Sequence, residues 1–320
     1  MTIFEQLQAI TGSRALENEP MAKHTNFRIG GPAKWFVEVR SIDEILAVMR
    51  IAHDHQLATC VFGGGSNLLV SDQGFDGIVI KIAMRTYEIQ GTSIRSDAGV
   101  LSSALARATA TAGLQGLEWA ISLPGTIGGG VRGNAGCFGG EMKDHVVSVR
   151  VLRNGEILDI PREQIEFGYR ESTFKHSDDI ILSVVFELSE GDATELKMEL
   201  DDMLMKRKAS QPRDAGSAGC MFKNYEFASE ADVQRLAQNV DIPSEMMSRR
   251  QISAGWLIDK LGLKGTQIGS AKISEVHGNF VVNTSLATAD QIVELVALVK
   301  TRARNEFGIQ LMEEVQYVGF

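Results

Sequence analysis

The sequence predicts an α+β protein of more than one lobe, and three observations predict it. Its 320 residues are many for one compact core. Strands and helices alternate up to about residue 190, and beyond Gly191 charged amphipathic helices take over. The expected division is a first region over residues 1–190, in two lobes of about 1–85 and 86–190, followed by a C-terminal α+β domain over 191–320.

In chain order, the first clear helix is 41–55. Ile42, Ile45, Leu46, Met49 and Ala52 share one face, and Ser41 with Glu44 reads as a capping box. A short apolar run surrounds Val61, and the β-branched run 77–82 reads as a strand. A helix over 101–112 stops at Gly113. The stretch 146–160 reads as a hairpin turning at Asn154-Gly155, and 180–188 as a strand. Later helices cover 193–209 (Leu196, Leu200, Met203 and Leu204 inward), 229–240 (opened by Ser229 and Asp232) and 288–307. The last opens with Thr288 and Gln291, turns Ile292, Leu295, Val296, Val299 and Ala303 inward, and ends at Gly308. Residues 315–318 read as a closing strand.

Composition excludes several function classes. Hydrophobic residues at 44% and charged residues at 23% are ordinary for a soluble globular chain. A net charge of −9 disfavours non-specific nucleic-acid binding, yet leaves room for a local basic pocket around a small anion. Cys60, Cys137 and Cys220 form neither a zinc-type pairing nor a disulfide framework, which suits a reducing cytoplasm. The N-terminus lacks a signal-peptide pattern, and no run approaches the ~20 apolar residues of a membrane helix. The expectation is a cytoplasmic protein with no metal, no membrane and no nucleic-acid partner, its oligomeric state open.

Two glycine-rich segments carry the chemistry. One is Gly63-Gly64-Gly65-Ser66-Asn67; the other includes Pro124-Gly125-Thr126-Ile127-Gly128-Gly129-Gly130 and Asn134-Ala135-Gly136. Consecutive glycines let N–H groups point into one concavity, and such a nest binds phosphate oxygens. The plainer reading is a pair of tight turns. The dinucleotide fingerprint lacks its third glycine here, and no Gly-Lys-Ser or Gly-Lys-Thr occurs, so the loops suggest a phosphate-rich cofactor in another fold.

Read in order with Asn26-Phe27-Arg28-Ile29-Gly30-Gly31, Phe167-Gly168-Tyr169-Arg170-Glu171-Ser172, Ser217-Ala218-Gly219-Cys220-Met221-Phe222-Lys223-Asn224, Ala254-Gly255-Trp256-Leu257-Ile258, Ser274-Glu275-Val276-His277-Gly278-Asn279-Phe280 and Leu311-Met312-Glu313-Glu314-Val315, these segments resemble the UDP-N-acetylenolpyruvylglucosamine reductase family. The resemblance runs from about residue 23 to the end, and the short stretch between Ser172 and Ala218 resembles the family's compact subtype. It implies an FAD-binding region of the vanillyl-alcohol-oxidase/p-cresol-methylhydroxylase type in two lobes. A substrate-binding C-terminal domain follows, whose last strand, near 311–320, returns to the active site. It also implies non-covalent FAD, NADPH as hydride donor, and reduction of UDP-N-acetylglucosamine enolpyruvate to UDP-N-acetylmuramate.

By the same resemblance Arg170 is the arginine that holds and stabilises the substrate carboxylate; on residue type alone it would be a surface partner of Glu171. Cys220 matches the family's proton donor, usually serine, where a lone cysteine otherwise reads as a small buried hydrophobe. A thiol, of ordinary pKa ~8.5, is the stronger acid but is open to oxidation. Glu314 matches the third catalytic residue, with Glu313 competing and Met312 replacing an earlier family glutamate. Tyr169, Lys223 and Asn224 are expected at the substrate, and Gly63, Gly64, Gly65, Ser66, Asn67, Pro124, Gly125, Thr126, Gly128, Gly129, Asn134 and Gly136 at the cofactor. Cys60 and Cys137 read as structural; Glu275, His277 and Asn279 have no assigned role. The rival readings are another FAD oxidase or dehydrogenase of the same fold, a non-catalytic nucleotide binder, and a cysteine hydrolase, which would need a positioned histidine.

Overall fold

The computed structural model describes residues 1–212, 215–227, 229–237 and 240–320, without the side chains of residues 230 and 235. The chain forms two compact units: Met1–Glu19, Ala33–Gly65 and Phe75–Ala209 in one, Pro20–Pro32, Ser66–Gly74 and Ser210–Phe320 in the other. The composition change lies near residue 190, whereas the late break falls at Ala209–Ser210.

The first unit is built on two sheets. One has the strand order Ala15–Pro20, Pro32–Val39, Phe75–Ile82, Thr59–Phe62, the last three mutually parallel. Parallel strands need a long crossover, and helix α2 (Ile42–Asp54) supplies it between Pro32–Val39 and Thr59–Phe62, while α1 (Ile3–Thr11) precedes the sheet. Ser41 Oγ accepts the Glu44 N–H at 3.2 Å, as expected of the cap. The reciprocal arm of the box is absent. The Glu44 carboxylate instead takes the Arg40 N–H (2.6 Å) and two bonds from Arg14 (2.8 and 2.6 Å), a stronger, charge-assisted set. The buried face of α2 is Ile45, Val48, Ile51 and Ala52; Ile42, Leu46 and Met49 only flank it.

The other sheet is antiparallel, in the order Glu156–Pro161, Val146–Arg153, Ile180–Glu187, Ser93–Asp97, Tyr87–Gln90. Its hairpin turns at Asn154 (φ 50°) and Gly155 (φ 83°), the two positive φ values a type I′ turn requires. Helices α3 (Ser102–Thr111), α4 (Ile127–Arg132) and α5 (Ala193–Ser210) complete the unit, α5 burying Leu196 and Leu200 while Met203 and Leu204 flank the core.

The second unit has its own core. After α6 (Glu230–Ala237), α7 (Ser244–Ser248) and α8 (Ala254–Lys260), the long α9 (Ala289–Phe307) buries Ala289, Ile292, Leu295, Val296, Val299, Ala303 and Phe307. Thr288 and Gln291 form a full capping box, Asp72 accepts the Ala289 N–H at 2.8 Å, and Gly308 closes the helix in the left-handed conformation. Ser229 caps α6 through the Asp232 N–H (3.3 Å). Of the helix expected over 229–240, residues 238 and 239 lie outside the described residues. An antiparallel sheet of Gln267–Ile268, Ala271–Ile273 and Val281–Asn283 contributes Ala271, Ile273 and Val281 to the same core as α9. The closing strand, Gln316–Val318, pairs in parallel with Leu68–Val70.

Candidate active site

In the first unit the two glycine loops meet. A Cβ on Gly63 would lie 2.1 Å from Thr126 Oγ1, and one on Gly64 would lie 2.9 Å from Gly125 Cα. Any side chain would push the loops apart, so glycine is what lets the two backbones touch. Gly65 (φ 63°) and Gly125 (φ 113°) hold backbone angles that other residues adopt only with strain. Thr126 precedes α4 without capping it, and its Oγ1 is buried with no hydrogen-bond partner among the described residues. A buried hydroxyl left without a partner is costly and marks an acceptor to come from outside the chain. Touching glycine loops with an orphaned buried donor at their contact suit a phosphate-bearing cofactor such as FAD.

Some of the glycines serve packing instead. A Cβ on Gly128 would lie 2.7 Å from that of Ala98, whereas Gly129 is exposed and its nearest neighbour is Thr126 Oγ1, at 3.6 Å. Pro124 is exposed. Asn134 is fully buried and its amide is used internally: Nδ2 donates to Glu141 Oε2 (3.1 Å) and to Gly168 O (2.8 Å), while Oδ1 accepts the Lys143 N–H (3.1 Å). Its side chain therefore braces the loop. Gly136 is where Gly140 O comes close, 2.5 Å from a Cβ built there.

The carbonyl of Gly136 accepts from Arg170 Nη2 at 2.7 Å. Arg170 sits with Tyr169 in the turn between Phe167–Gly168 and Glu171–Ser172, at φ 56°. Lys175 Nζ donates to its carbonyl at 2.6 Å, and its guanidinium lies 5.2 Å from the Tyr169 ring centroid. A non-glycine residue in this conformation costs about 1–3 kcal/mol, and it persists because these contacts over-determine it. Glu171 bonds His176 at 3.1 Å.

In the second unit Cys220 and Glu314 sit on adjoining segments. Phe222 bridges Glu313 in antiparallel fashion, the Glu314 N–H donates to Met221 O (2.8 Å), and the Lys223 N–H donates to Met312 O (2.9 Å). The competitor, Glu313, is held by Lys300, whose Nζ bonds both carboxylate oxygens at 2.8 and 2.9 Å. Asn67 belongs to this unit. Its Nδ2 donates to the Glu314 carbonyl (3.1 Å) and its own carbonyl accepts the Gln316 N–H (3.0 Å). The chain thus crosses from one unit to the other at Gly65–Ser66, with Ser66 and Asn67 on the far side of the break from the three glycines. Asn224 Oδ1 accepts the Ala254 N–H at 3.1 Å and Nδ2 donates to Gln251 at 3.3 Å, fixing the start of α8. Cys220, Lys223 and Asn224 are half-buried.

The sequence left Glu275, His277 and Asn279 without roles. Glu275 is exposed beside Lys272, whose hydrogen bond and charge hold its carboxyl below the usual range. Asn279 is buried and bonds both the N–H and the carbonyl of Phe222, two residues from Cys220. A buried asparagine among apolar neighbours was the signal, and only the pairing reveals its target. The other two cysteines are quiet: burial pushes the Cys60 thiol up to about 11 and raises that of Cys137. Among the described residues no metal-binding cluster occurs, and no helix is long and apolar enough to cross a membrane.

A family model described as an FAD binding domain matches residues 33–160, and one described as the UDP-N-acetylenolpyruvoylglucosamine reductase C-terminal domain matches 211–318. The chain is 37% identical to the UDP-N-acetylenolpyruvoylglucosamine reductase of Clostridioides difficile over 94% of its length and 92% of that protein. It is also 37% identical to the enzyme of Alkaliphilus metalliredigens, over 99% and 98%. The crystal structure of the Thermus caldophilus enzyme superposes with a TM-score of 0.75 at 33% identity, covering 94% of this chain and 98% of that one. The chain belongs to the UDP-N-acetylenolpyruvoylglucosamine reductase family, FAD-dependent oxidoreductases of peptidoglycan precursor synthesis.

Proposed function

We propose that this chain uses NADPH to reduce the enolpyruvyl ether of UDP-N-acetylglucosamine enolpyruvate, giving UDP-N-acetylmuramate. The observation that carries the reading is the hydrogen-bonded pairing of the Cys220 and Glu314 segments inside the part that matches this family's own C-terminal domain. Bound FAD would supply the redox chemistry, the passage of hydride from NADPH to the terminal enolpyruvyl carbon. Gly63, Gly64, Gly65, Gly125 and Thr126 would hold its phosphates, a role supported by the contact of the two loops and the orphaned hydroxyl at it.

Hydride addition leaves negative charge on the neighbouring carbon and its carboxylate. Arg170 binds that carboxylate through its guanidinium and stabilises the charge; its turn and the Gly136 contact pre-set its direction. Cys220 gives its thiol proton to the carbon and is reprotonated from solvent, so one NADPH and one proton are consumed per product. Glu314 orients the reacting group. Its selection over Glu313 is supported by the bonds that tie Glu313 to Lys300. Lys223 meets the diphosphate as a point charge, with Tyr169 and Asn224 lining the substrate. We place the reaction in the cytoplasm, in keeping with Cys60, Cys137 and Cys220 forming no disulfide with one another.

Mass spectrometry tests the reading. Incubation with NADPH and the enolpyruvyl sugar yields a product heavier by two hydrogens, with one NADPH oxidised per product. Recovery of unchanged sugar from FAD-loaded protein while NADPH is consumed by oxygen would contradict it.

A further inference from the structure

The segment carrying Cys220 belongs to no regular sheet. Isolated bridges tie Cys220 to Phe280 and Phe222 to Glu313. Asn279 supplies much of the remaining order. Its main-chain carbonyl accepts the Met221 N–H (2.8 Å), its Oδ1 accepts the Phe222 N–H (2.9 Å), and its Nδ2 donates to the Phe222 carbonyl (2.8 Å). One side chain thus gives Phe222 both of the bonds that a neighbouring strand would give. Asn279 is 2% exposed, so water does not compete for them.

Asn279 is itself held from behind. Its N–H donates to His277 Nδ1 at 3.2 Å. The His277 ring lies edge-on to Phe280 with centroids 4.9 Å apart, and against Gly255, where a Cβ would lie 2.9 Å from a ring carbon. Burial, with Lys264 adding its charge, holds His277 below its ordinary pKa, in keeping with a neutral ring that accepts at Nδ1.

We propose that Asn279 is a positioning residue for Cys220: by clamping the Phe222 backbone, with His277 as its backstop, it sets the aim of the thiol during proton transfer. The proposal rests on the reading of Cys220 as the proton donor. Misplacing a reacting group by about 1 Å costs on the order of 100-fold in rate, so the clamp is felt in chemistry rather than in cofactor binding.

The test is anaerobic stopped-flow on FAD-loaded protein, timing flavin reduction by NADPH separately from reoxidation by the enolpyruvyl sugar. Asn279→Ala removes the side-chain clamp. Asn279→Asp keeps the acceptor for the Phe222 N–H and removes the donor to its carbonyl. Both are measured alone and combined with Cys220→Ala. The expected result is reduction within about 2-fold of the parent, and reoxidation about 10- to 100-fold slower with a larger solvent deuterium isotope effect. With Cys220→Ala present, either Asn279 change slows reoxidation no further. Equal slowing of both half-reactions, loss of flavin, parental reoxidation, or full additional slowing on top of Cys220→Ala overturns the proposal. Parental reoxidation in Cys220→Ala alone would instead remove the donor assignment on which it rests.

Discussion

Thr126→Val makes the cofactor-free protein more stable and weakens its hold on FAD. The Thr126 hydroxyl is buried, partners nothing among the described residues and does not cap α4, so replacing it with a methyl of similar shape removes no bond from the fold. An unpartnered buried hydroxyl costs roughly 1–3 kcal/mol, which valine recovers, and at about 2–4 °C per kcal/mol in a unit of this size the melting temperature of the apo protein rises by several degrees. FAD binding moves the other way. A hydroxyl that donates to a charged phosphate oxygen contributes about 1.5–3 kcal/mol, so the dissociation constant for FAD rises about 10- to 150-fold. Thermal unfolding of stripped protein and a fluorescence titration with FAD measure the two halves. A lower apo melting temperature with unchanged FAD affinity would show that the hydroxyl serves the fold and takes no part in holding a phosphate.

Three further outcomes are expected. Glu313→Gln leaves reoxidation by the enolpyruvyl sugar within about 3-fold of the parent, whereas Glu314→Gln slows it by about 100-fold or more; equal effects would undo the choice between them. Cys220→Ser keeps reoxidation within about 10-fold, while Cys220→Ala loses about 100- to 10,000-fold with flavin reduction by NADPH unimpaired, read by single-turnover kinetics. Asp179, whose side chain is 2% exposed, receives two 2.7 Å bonds from Arg153, and that pairing holds its carboxyl below the usual range. Its folded-state pKa is therefore depressed. The associated stability is present above the ordinary carboxylate value of ~3.9 and is lost as pH falls through the lower folded value. Acid denaturation curves show this loss in the parent and less of it in Arg153→Gln; identical curves would refute the coupling.

Most regular elements were legible because their signals are local. The α9 boundaries follow from Thr288, Gln291 and Gly308, and the 146–160 hairpin from Asn154-Gly155, since caps and type I′ turns depend on neighbouring residues alone. What failed depends on distant partners. Glu44 abandons its expected box because Arg14, thirty residues earlier, bonds it more strongly. Helix α1, with Thr2 and Glu5 forming a capping box, went unread, as did the strand Pro32–Val39, whose buried places are fixed by pairing with Phe75–Ile82. At the site, the sequence shows two glycine loops, but which glycines touch the partner loop and which pack on Ala98 is three-dimensional information. Asn67 and Asn134 carry the family's pattern yet spend their amides on Glu314 and on the Glu141–Gly168 surroundings, which no spacing rule reveals.

If one protein carries hydride from NADPH to an enolpyruvyl sugar through FAD, a visible spectrum in an anaerobic cuvette shows both halves of the transfer. Flavin absorbance that bleaches on adding NADPH and returns on adding UDP-N-acetylglucosamine enolpyruvate is the predicted result; flavin that bleaches but stays colourless when that sugar is added would contradict the account.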